Sequence, residues 1–446
     1  MGWEIAAKIE HEVARIITQQ EVNGWKFDIP KAHQHLSLLD NERQRLYDSI
    51  REHLGHDRYM GTGTVLKPFK KDGTLSERVK KYWGRYSENT WGPYTPLWYE
   101  EPDLRKRQRL IKHLKRLGWR PTEWTHKGNP KLTEESMTSL KGDLGKNIAK
   151  WWILSHRRSQ ITGWLDLVRP DGRIAARATP CGTPTARMRH QGIVNVPKTN
   201  HAKTGELLYY PEGKVVFGTE MRELFIAEEG YTLIGYDAKG LEIRILAHYL
   251  DDPEFYEVAT SGDVHAYFQE KIGIPDRDQS KTFEYAFFYG AEDPKLGSIL
   301  GGTRKDGREA RERFLRSVPS LGRLLQGVKG AAAKGYLTGI DGRKLFVRKE
   351  SASLNTLIQG GGAISMKVIM LYLDKLNRNS GLDLSLCKKV GDFHDEGQHE
   401  VWNEEKYIEL FKKNVVKAIS QTNKFLKLRC PLEGEIKIGP NWSYTH

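Results

Sequence analysis

Cysteine is scarce in this chain. Three residues, Cys181, Cys387 and Cys430, are scattered through 446 positions. No two are close enough to form a CxxC pair, so zinc ribbons and disulfide frameworks are not expected, and three buried thiols are. Long apolar runs are missing too. No unbroken stretch reaches the roughly 18 apolar residues of a membrane span. The opening MGWEIAAKIE has no apolar signal core, and Ala6 stands where a myristoylation site needs Ser or Thr. A cytoplasmic protein with no membrane partner is expected. No GxxxxGK[ST] and no HExxH occur, which removes a P-loop and a zincin site. There is no internal repeat and no low-complexity tail.

Positive charge, by contrast, is plentiful. The chain has 71 Lys and Arg against 57 Asp and Glu, a net charge of +14. Such a surplus points to a polyanionic partner, with nucleic acid first and mere solubility as the bland alternative. The first third carries the basic clusters 67-KPFKK-71, 78-RVKKYWGRY-86 and 105-RKRQRLIKHLKR-116. Aromatics sit among them, suited to lying on bases or sugars. Charge alone does not separate a polymerase from a nuclease or a passive binder. Hydrophobic residues at 38% and charged residues at 29% fit a globular chain, long enough for two or three lobes.

Residues 8–22 and 31–54 carry apolar positions at three- and four-residue spacing and predict two helices. From Gly55 to about Pro102 the chain is rich in Gly, Lys, Tyr and Trp with weak periodicity, an irregular insert. Helical patterning returns at 103–118 and 145–168. From Asp171 turns and short strands dominate. 231-YTLIGYD-237 predicts a strand and 240-GLEIRILAHYL-250 an amphipathic helix, with helices again over 251–354. The pattern of 354–376 predicts a long helix containing Gly360, Gly361 and Gly362. Glycine there costs roughly 1 kcal/mol per residue relative to Ala, so either another helix or a ligand must approach that backbone closely. Residues 388–393 and 398–402 read as two hairpin arms around 394-HDE-396.

Two carboxylates stand out. Asp237 closes the predicted strand just before a helix, where it is either an N-cap or a rigidly held ligand. Asp395, at the hairpin tip, is either a solvated charge or a second ligand. If the two converge, they repel unless cations intervene. Two divalent ions about 3.5–4 Å apart can activate one oxygen and stabilise another, and oxygen-only ligands suit magnesium. In 277-RDQSKTFEYAFFYG-290, Arg277, Lys281 and Tyr285 recur every four residues along one helix face, and Tyr289 continues the line. Two cations followed by two aromatics suit a nucleoside triphosphate. A half-buried helix with snorkelling cations is the alternative. His394 and His399 with Glu400 are a weaker metal set, because strand alternation separates the two imidazoles.

These segments, in this order, resemble the family A DNA polymerases. 236-YDAKGLEIRILAH-248 is similar to the first palm motif, 277-RDQSKTFEYAFFYG-290 to the fingers helix and 394-HDE-396 to the second palm motif. Further matches are 172-GRIAARATPCGTPTARM-188, the Asp263-Val264-His265 step, 341-DGRKLFVR-348 and 354-LNTLIQ-359. The segments 93-PYTP-96 and 437-KIGPNWSYTH-446 are similar to the podophage polymerases that use thioredoxin.

The resemblance implies an α+β right-hand fold with an antiparallel-sheet palm. It implies a thumb over 1–165 with a basic insert at about 55–92, palm segments at 166–250 and 355–446, and fingers at 251–354. It implies DNA-templated DNA synthesis in phage replication. Asp237, Asp395 and the Ala238 carbonyl would hold two magnesium ions. Arg277, Lys281 and His265 would grip the triphosphate, with Lys281 also catalytic. Tyr285 would pack on the incoming sugar and base, and Glu242 would close the space at the 2′ position. Tyr289 would guard the template base. Arg187, Asn355 and Gln359 would read minor-groove acceptors, and His394 and Glu396 would position the primer terminus. Primer-template DNA and dNTPs are the implied partners.

Three residues depart from the family pattern: Lys239 in place of Ser or Gln, Ala186 in place of Gly, and Gly397 in place of an apolar residue. Lys239 offers an added phosphate contact, and the other two are expected to loosen local geometry. The polymerase-like part begins almost at Met1, without the proofreading exonuclease that relatives carry ahead of it. Either the exonuclease is a separate chain, and then an expected partner, or it has been removed from this one. The 55–92 insert is shorter than the thioredoxin-binding insert of those relatives. A basic clamp of the chain's own, or a different processivity factor, is expected there. The rivals are a phage-type RNA polymerase, a metal-dependent nuclease using the same aspartates, and an inactive DNA-binding relative.

Overall fold

The structure is a computed structural model. It describes residues 2–60, 67, 69–74, 76, 97–125, 127–133, 135–137, 139–202, 204–210 and 216–446. The basic run 78–86, the 93–96 motif and most of the 55–92 insert lie outside the described residues.

The chain divides into two compact units, residues 33–162 and residues 1–32 with 163–446. The smaller unit is built on the helices Ile29–Leu54, Arg107–Arg116 and Leu144–Leu165, with a hairpin of Asp57–Met60 against Leu97–Glu100. Its first helix buries Leu39, Leu46, Ile50 and Leu54, a stripe at helical spacing. Buried Asp57 accepts a 2.8 Å hydrogen bond from the equally buried His113.

The larger unit is organised around a four-stranded sheet in the order β2-β3-β1-β4: β1 is Tyr231–Ala238, β2 Cys387–Phe393, β3 Glu396–Trp402 and β4 Gly434–Gly439. All its pairings are antiparallel. One layer over it includes helix α6, Glu405–Phe425, through Phe411, Val415, Ala418 and Ile419, which share a core cluster with Ile234 and Val401. Aromatic rings form a second cluster. Trp25 lies 5.2 Å from Phe225 and 5.1 Å from Trp442, and Phe393 stacks on Trp442 at 4.7 Å. Between about 253 and 332 a helical subassembly packs around Phe255, Phe268, Phe283, Phe287, Phe288 and Phe314.

The expected 1–165 block is not one unit. Helix α1, Gly2–Asn23, presents Ile9, Val13, Ile16 and Ile17 to a core shared with Val368 and Met370 of helix α5, Ser353–Asn379. That apolar stripe is long enough to tie α1 to the sheet-bearing unit, so the first 32 residues leave the block.

Helix α5 resolves two further points. An 18-residue window within 350–379 is apolar enough to cross a membrane by length and composition, although no unbroken apolar run marks it. It is 83% buried inside the protein and serves as a core helix. The three glycines answer to packing rather than to a ligand. A Cβ on Gly360 would meet Leu345 at 2.4 Å, and one on Gly361 would meet Ile245 at 2.7 Å. Ile245 belongs to helix α2, Leu241–Leu250, so a second helix is what approaches.

Candidate active site

Asp237 is the penultimate residue of β1, in register with Glu396 of β3 on one side and Glu435 of β4 on the other. It does not cap the following helix, because Gly240, at φ +56°, is the N-cap residue of α2. The neighbouring Ala238 N–H donates to the Asp395 carbonyl at 3.0 Å. That bond ties the hairpin tip to the end of β1, and the two aspartates converge. The consequence is electrostatic. Burial, then Asp395, Glu396 and Glu435, push the Asp237 carboxyl up to about 7, against Lys437.

The tip itself is tight. His394 takes φ +58°, a conformation costing an L-residue roughly 1–2 kcal/mol. Its ring meets His190 edge-on at 5.1 Å, and the Phe393–Trp442 stack supports the turn from below. A cleft of about 490 Å³ passes His394 and Asp395 and is bordered by Arg189, Arg222 and His446.

Glu396, next in sequence, is treated differently. It is 4% exposed. Trp442 Nε1 and Gln398 Nε2 each donate to its Oε1 at 2.5 Å, and His446 Nδ1 lies 2.7 Å from Oε2. Burial pushes its carboxyl up, but the His446 contact, Arg222 and the Trp442 bond outweigh burial and leave it below its ordinary value. Its oxygens are thus engaged by the chain's own donors.

Gly397 does not loosen the tip. It pairs with Tyr236 across the ladder, and a Cβ there would lie 2.4 Å from the Tyr236 ring and 2.5 Å from its hydroxyl. The tyrosine ring fills the space that an apolar side chain would take. Ala186 does sit where glycine is favoured, at φ +57°, just before Arg187.

Helix α4, Arg277–Phe288, shows the predicted face. Arg277 and Lys281 are exposed, Tyr285 is half-buried, and Ser280, Phe283, Glu284, Phe287 and Phe288 are buried. The Tyr285 and Tyr289 ring centroids are 6.2 Å apart, as are those of Tyr285 and His265. Arg277 donates to both Asp263 oxygens at 3.0 and 3.1 Å. At the aromatic end, Glu242 accepts from Arg187 at 2.7 Å and lies 3.5 Å from the Tyr289 hydroxyl. Gln359 also bonds to Tyr289. Asn355 lies one turn before Gln359 on α5, half-buried. The structure therefore links Arg187, Glu242, Tyr289 and Gln359 in one network, brings Asp237, Ala238, Asp395, His394 and Glu396 to one strand end, and sets His265, Arg277, Lys281 and Tyr285 on one helical surface. Among the described residues, Asn355 makes no hydrogen bond to these groups.

Among the described residues no group of three or more His, Cys, Asp or Glu forms a closed metal site. The donor set instead offers two carboxylates and a backbone carbonyl. Magnesium is usually held in that way, with water and substrate phosphates completing its shell. The poorly compensated charge at Asp237 fits a divalent cation.

Sequence reasoning missed Glu284, Gln398, Glu435, Trp442 and His446. Gln398 was within reach, since positions i and i+2 of a strand share a face with Glu396. So was Glu284, an acid inside an otherwise apolar helix stripe. Trp442 and His446 lie in the matched ending 437–446, but that match assigned neither of them a role.

A family model described as DNA polymerase family A matches residues 100–444. The chain belongs to that family. Three similar phage proteins are named DNA-directed DNA polymerase. That of Escherichia phage Phieco32 is 31% identical over 70% of this chain, which spans 62% of the phage protein. Those of Escherichia phage T7 and Enterobacteria phage T3 are 27% identical over 99% of this chain and are spanned to 70%. The POL domain of Pol1 from M. smegmatis, solved in complex with DNA primer-template and dNTP, superposes with a TM-score of 0.76. It is 20% identical, with 97% of this chain and 70% of that one covered. The fold is that of the family A polymerases, α+β with an antiparallel sheet at its centre, and members of the family use divalent metal ions.

Proposed function

We propose that this chain catalyses DNA-templated addition of dNTPs to a primer 3′-hydroxyl in phage replication. The observation that carries the proposal is the convergence of Asp237 and Asp395 at adjacent strand ends, with the Asp237 carboxyl pushed up to about 7. Two magnesium ions held by Asp237, Asp395 and the Ala238 carbonyl would supply charge compensation for the attacking and leaving oxygens. The chain's own residues do the positioning. Arg277, Lys281 and His265 hold the triphosphate, and Lys281 faces the charge that develops on it. Tyr285 packs on the sugar and base. Glu242, braced by Arg187 and Tyr289, closes the space at the 2′ position, and Tyr289 guards the template base. Arg187, Asn355 and Gln359 face the primer-end minor groove. His394 borders the cleft for the primer terminus, and Glu396 acts there through the tip it anchors.

In this reading residues 33–162 form the thumb. Residues 1–32, 163–250 and 355–446 form the palm, and 251–354 the fingers. A processivity factor at the 55–92 insert and the infected bacterial cytoplasm complete the proposal. The test is primer extension with magnesium, comparing dNTPs with rNTPs. Templated dNTP addition is expected. Preferential rNTP incorporation would move the chain to the RNA polymerases. Release of nucleotides from the primer without extension would make it a nuclease.

A further inference from the structure

The buried face of α4 holds a carboxylate that the proposed reaction does not use. Glu284 is 1% exposed and lies between two polar neighbours. Its Oε2 is 2.8 Å from His265 Nδ1, and its Oε1 accepts from the Ser280 hydroxyl at 3.3 Å. His265 sits in the first turn of helix α3, Val264–Ile272, which packs directly on α4. Its side chain keeps 20% of its exposure. With Nδ1 committed to a buried carboxyl, Nε2 is the ring nitrogen left for a ligand.

We propose that Glu284 is a positioning residue that makes His265 an obligate Nε2–H donor toward the incoming triphosphate, by sharing one proton with its Nδ1. This rests on the polymerase reading above. If the proton sits on the carboxyl, Glu284 donates to Nδ1 and the neutral ring must carry its hydrogen on Nε2. If it sits on the ring, both nitrogens carry hydrogen. In either placement Nε2 donates, which is what an anionic phosphate oxygen requires. Only when the pair loses that proton does Nδ1–H point at a carboxylate and Nε2 present a lone pair to the phosphate.

The surroundings favour the one-proton pair at neutral pH. Burial pushes the Glu284 carboxyl up to about 8, against Ser280, Lys281 and Arg277 and with Asp263. Burial, with Lys281 and Arg277, lowers His265, against Asp263. Charges on the neighbouring helices are engaged elsewhere. Lys271 pairs with Glu254, Arg311 with Asp293, and Arg313 donates to the Ile272 carbonyl. The two groups titrate as a unit. The sign follows: nucleotide binding holds while the shared proton is present and weakens as pH rises past its loss.

The experiment measures single-nucleotide incorporation against dNTP concentration from pH 6.5 to 9 with saturating primer-template. In the wild type the apparent Kd for dNTP should rise roughly tenfold across the alkaline end, the size of one hydrogen bond to a charged group. Glu284→Gln should bind dNTP nearly as wild type at pH 7 and lose that rise. Its amide NH₂ donates to Nδ1 permanently, while Ser280 holds the amide oxygen. Glu284→Leu should weaken binding already at pH 7, but add nothing in a His265→Ala background. A pH profile of E284Q matching the wild type, or additive losses in the double variant, would overturn the inference while leaving polymerase activity in place. Absence of templated extension by the wild type would instead overturn the reading on which it rests.

Discussion

Asp237 and Glu396 face each other in register across β1 and β3, yet the chain treats the two carboxylates oppositely. Glu396 is given Trp442, Gln398 and His446 as partners and is held below its ordinary value despite burial. Asp237 has Asp395, Glu396 and Glu435 about it and is pushed up to about 7. The difference separates two uses of an acid. One whose donors come from within the chain is a fixture of the framework. One left facing like charges at a strand end is, under the proposed function, the place for a cation from outside.

The largest expected effect tests the outward-looking half. Asp395→Ala should lower primer extension at least ~10³-fold, since several kcal/mol of charge stabilisation are lost. Primer-template binding by fluorescence anisotropy should barely change. An Asp395→Ala enzyme extending primers at a rate near wild type would erase the distinction.

The inward half should fail in a different quantity. Glu396→Leu strands the Trp442, Gln398 and His446 donors and should destabilise the fold by about 3 kcal/mol. Asp395→Ala should move stability by no more than about 0.5 kcal/mol. Urea unfolding of both variants reads this directly. Equal destabilisation would mean that the two acids share one role.

Next in size is the packing beneath the tip. Gly397→Val places atoms against the Tyr236 ring and should cost about 1–3 kcal/mol, as overpacking usually does. Tyr236→Ala added to it should restore part of the loss in a thermal melt. Unchanged stability of the single variant would show that the ring does not need that space.

The smallest effect concerns pH. The folded-state pKa of Asp237 is raised, so the metal-free folded chain binds more protons than the unfolded one between about pH 4 and 7. Asp237 therefore makes the fold less stable as pH rises through that window. Glu396 has a depressed folded pKa, so its contribution stands above the unfolded value and is lost as pH falls through the folded one. Magnesium should thus raise Tm by a few degrees at pH 8, at ~2 °C or more per kcal/mol, and hardly at all at pH 5. Asp237→Asn should abolish the difference, and an undiminished magnesium shift in that variant would place the cation elsewhere.

Much of this was legible in the residues. Periodicity of two in 231–237 and of four through Arg277, Lys281 and Tyr285 marks a strand and a helix face, because those repeats are properties of the local backbone. Asp237 stood out because it closes a predicted strand, and Asp395 because it sits at a hairpin tip. The α1 stripe was also visible, but its destination was not. The same Ile9, Val13, Ile16 and Ile17 pattern would serve any apolar partner, and its place beside Val368 and Met370 depends on residues more than 350 positions away.

What the sequence by itself determined is therefore the set of local elements and the chemistry they carry: an acid closing a strand, a second acid at a hairpin tip, cations and rings along α4. Only the tertiary structure decided which acid is compensated. His446 reaches Glu396 from 50 residues on, Tyr236 fills the space above Gly397, and Glu284 meets His265 across two helices. Backbone geometry reaches only a few residues along the chain, whereas desolvation and charge depend on every group that folding brings within a few ångströms.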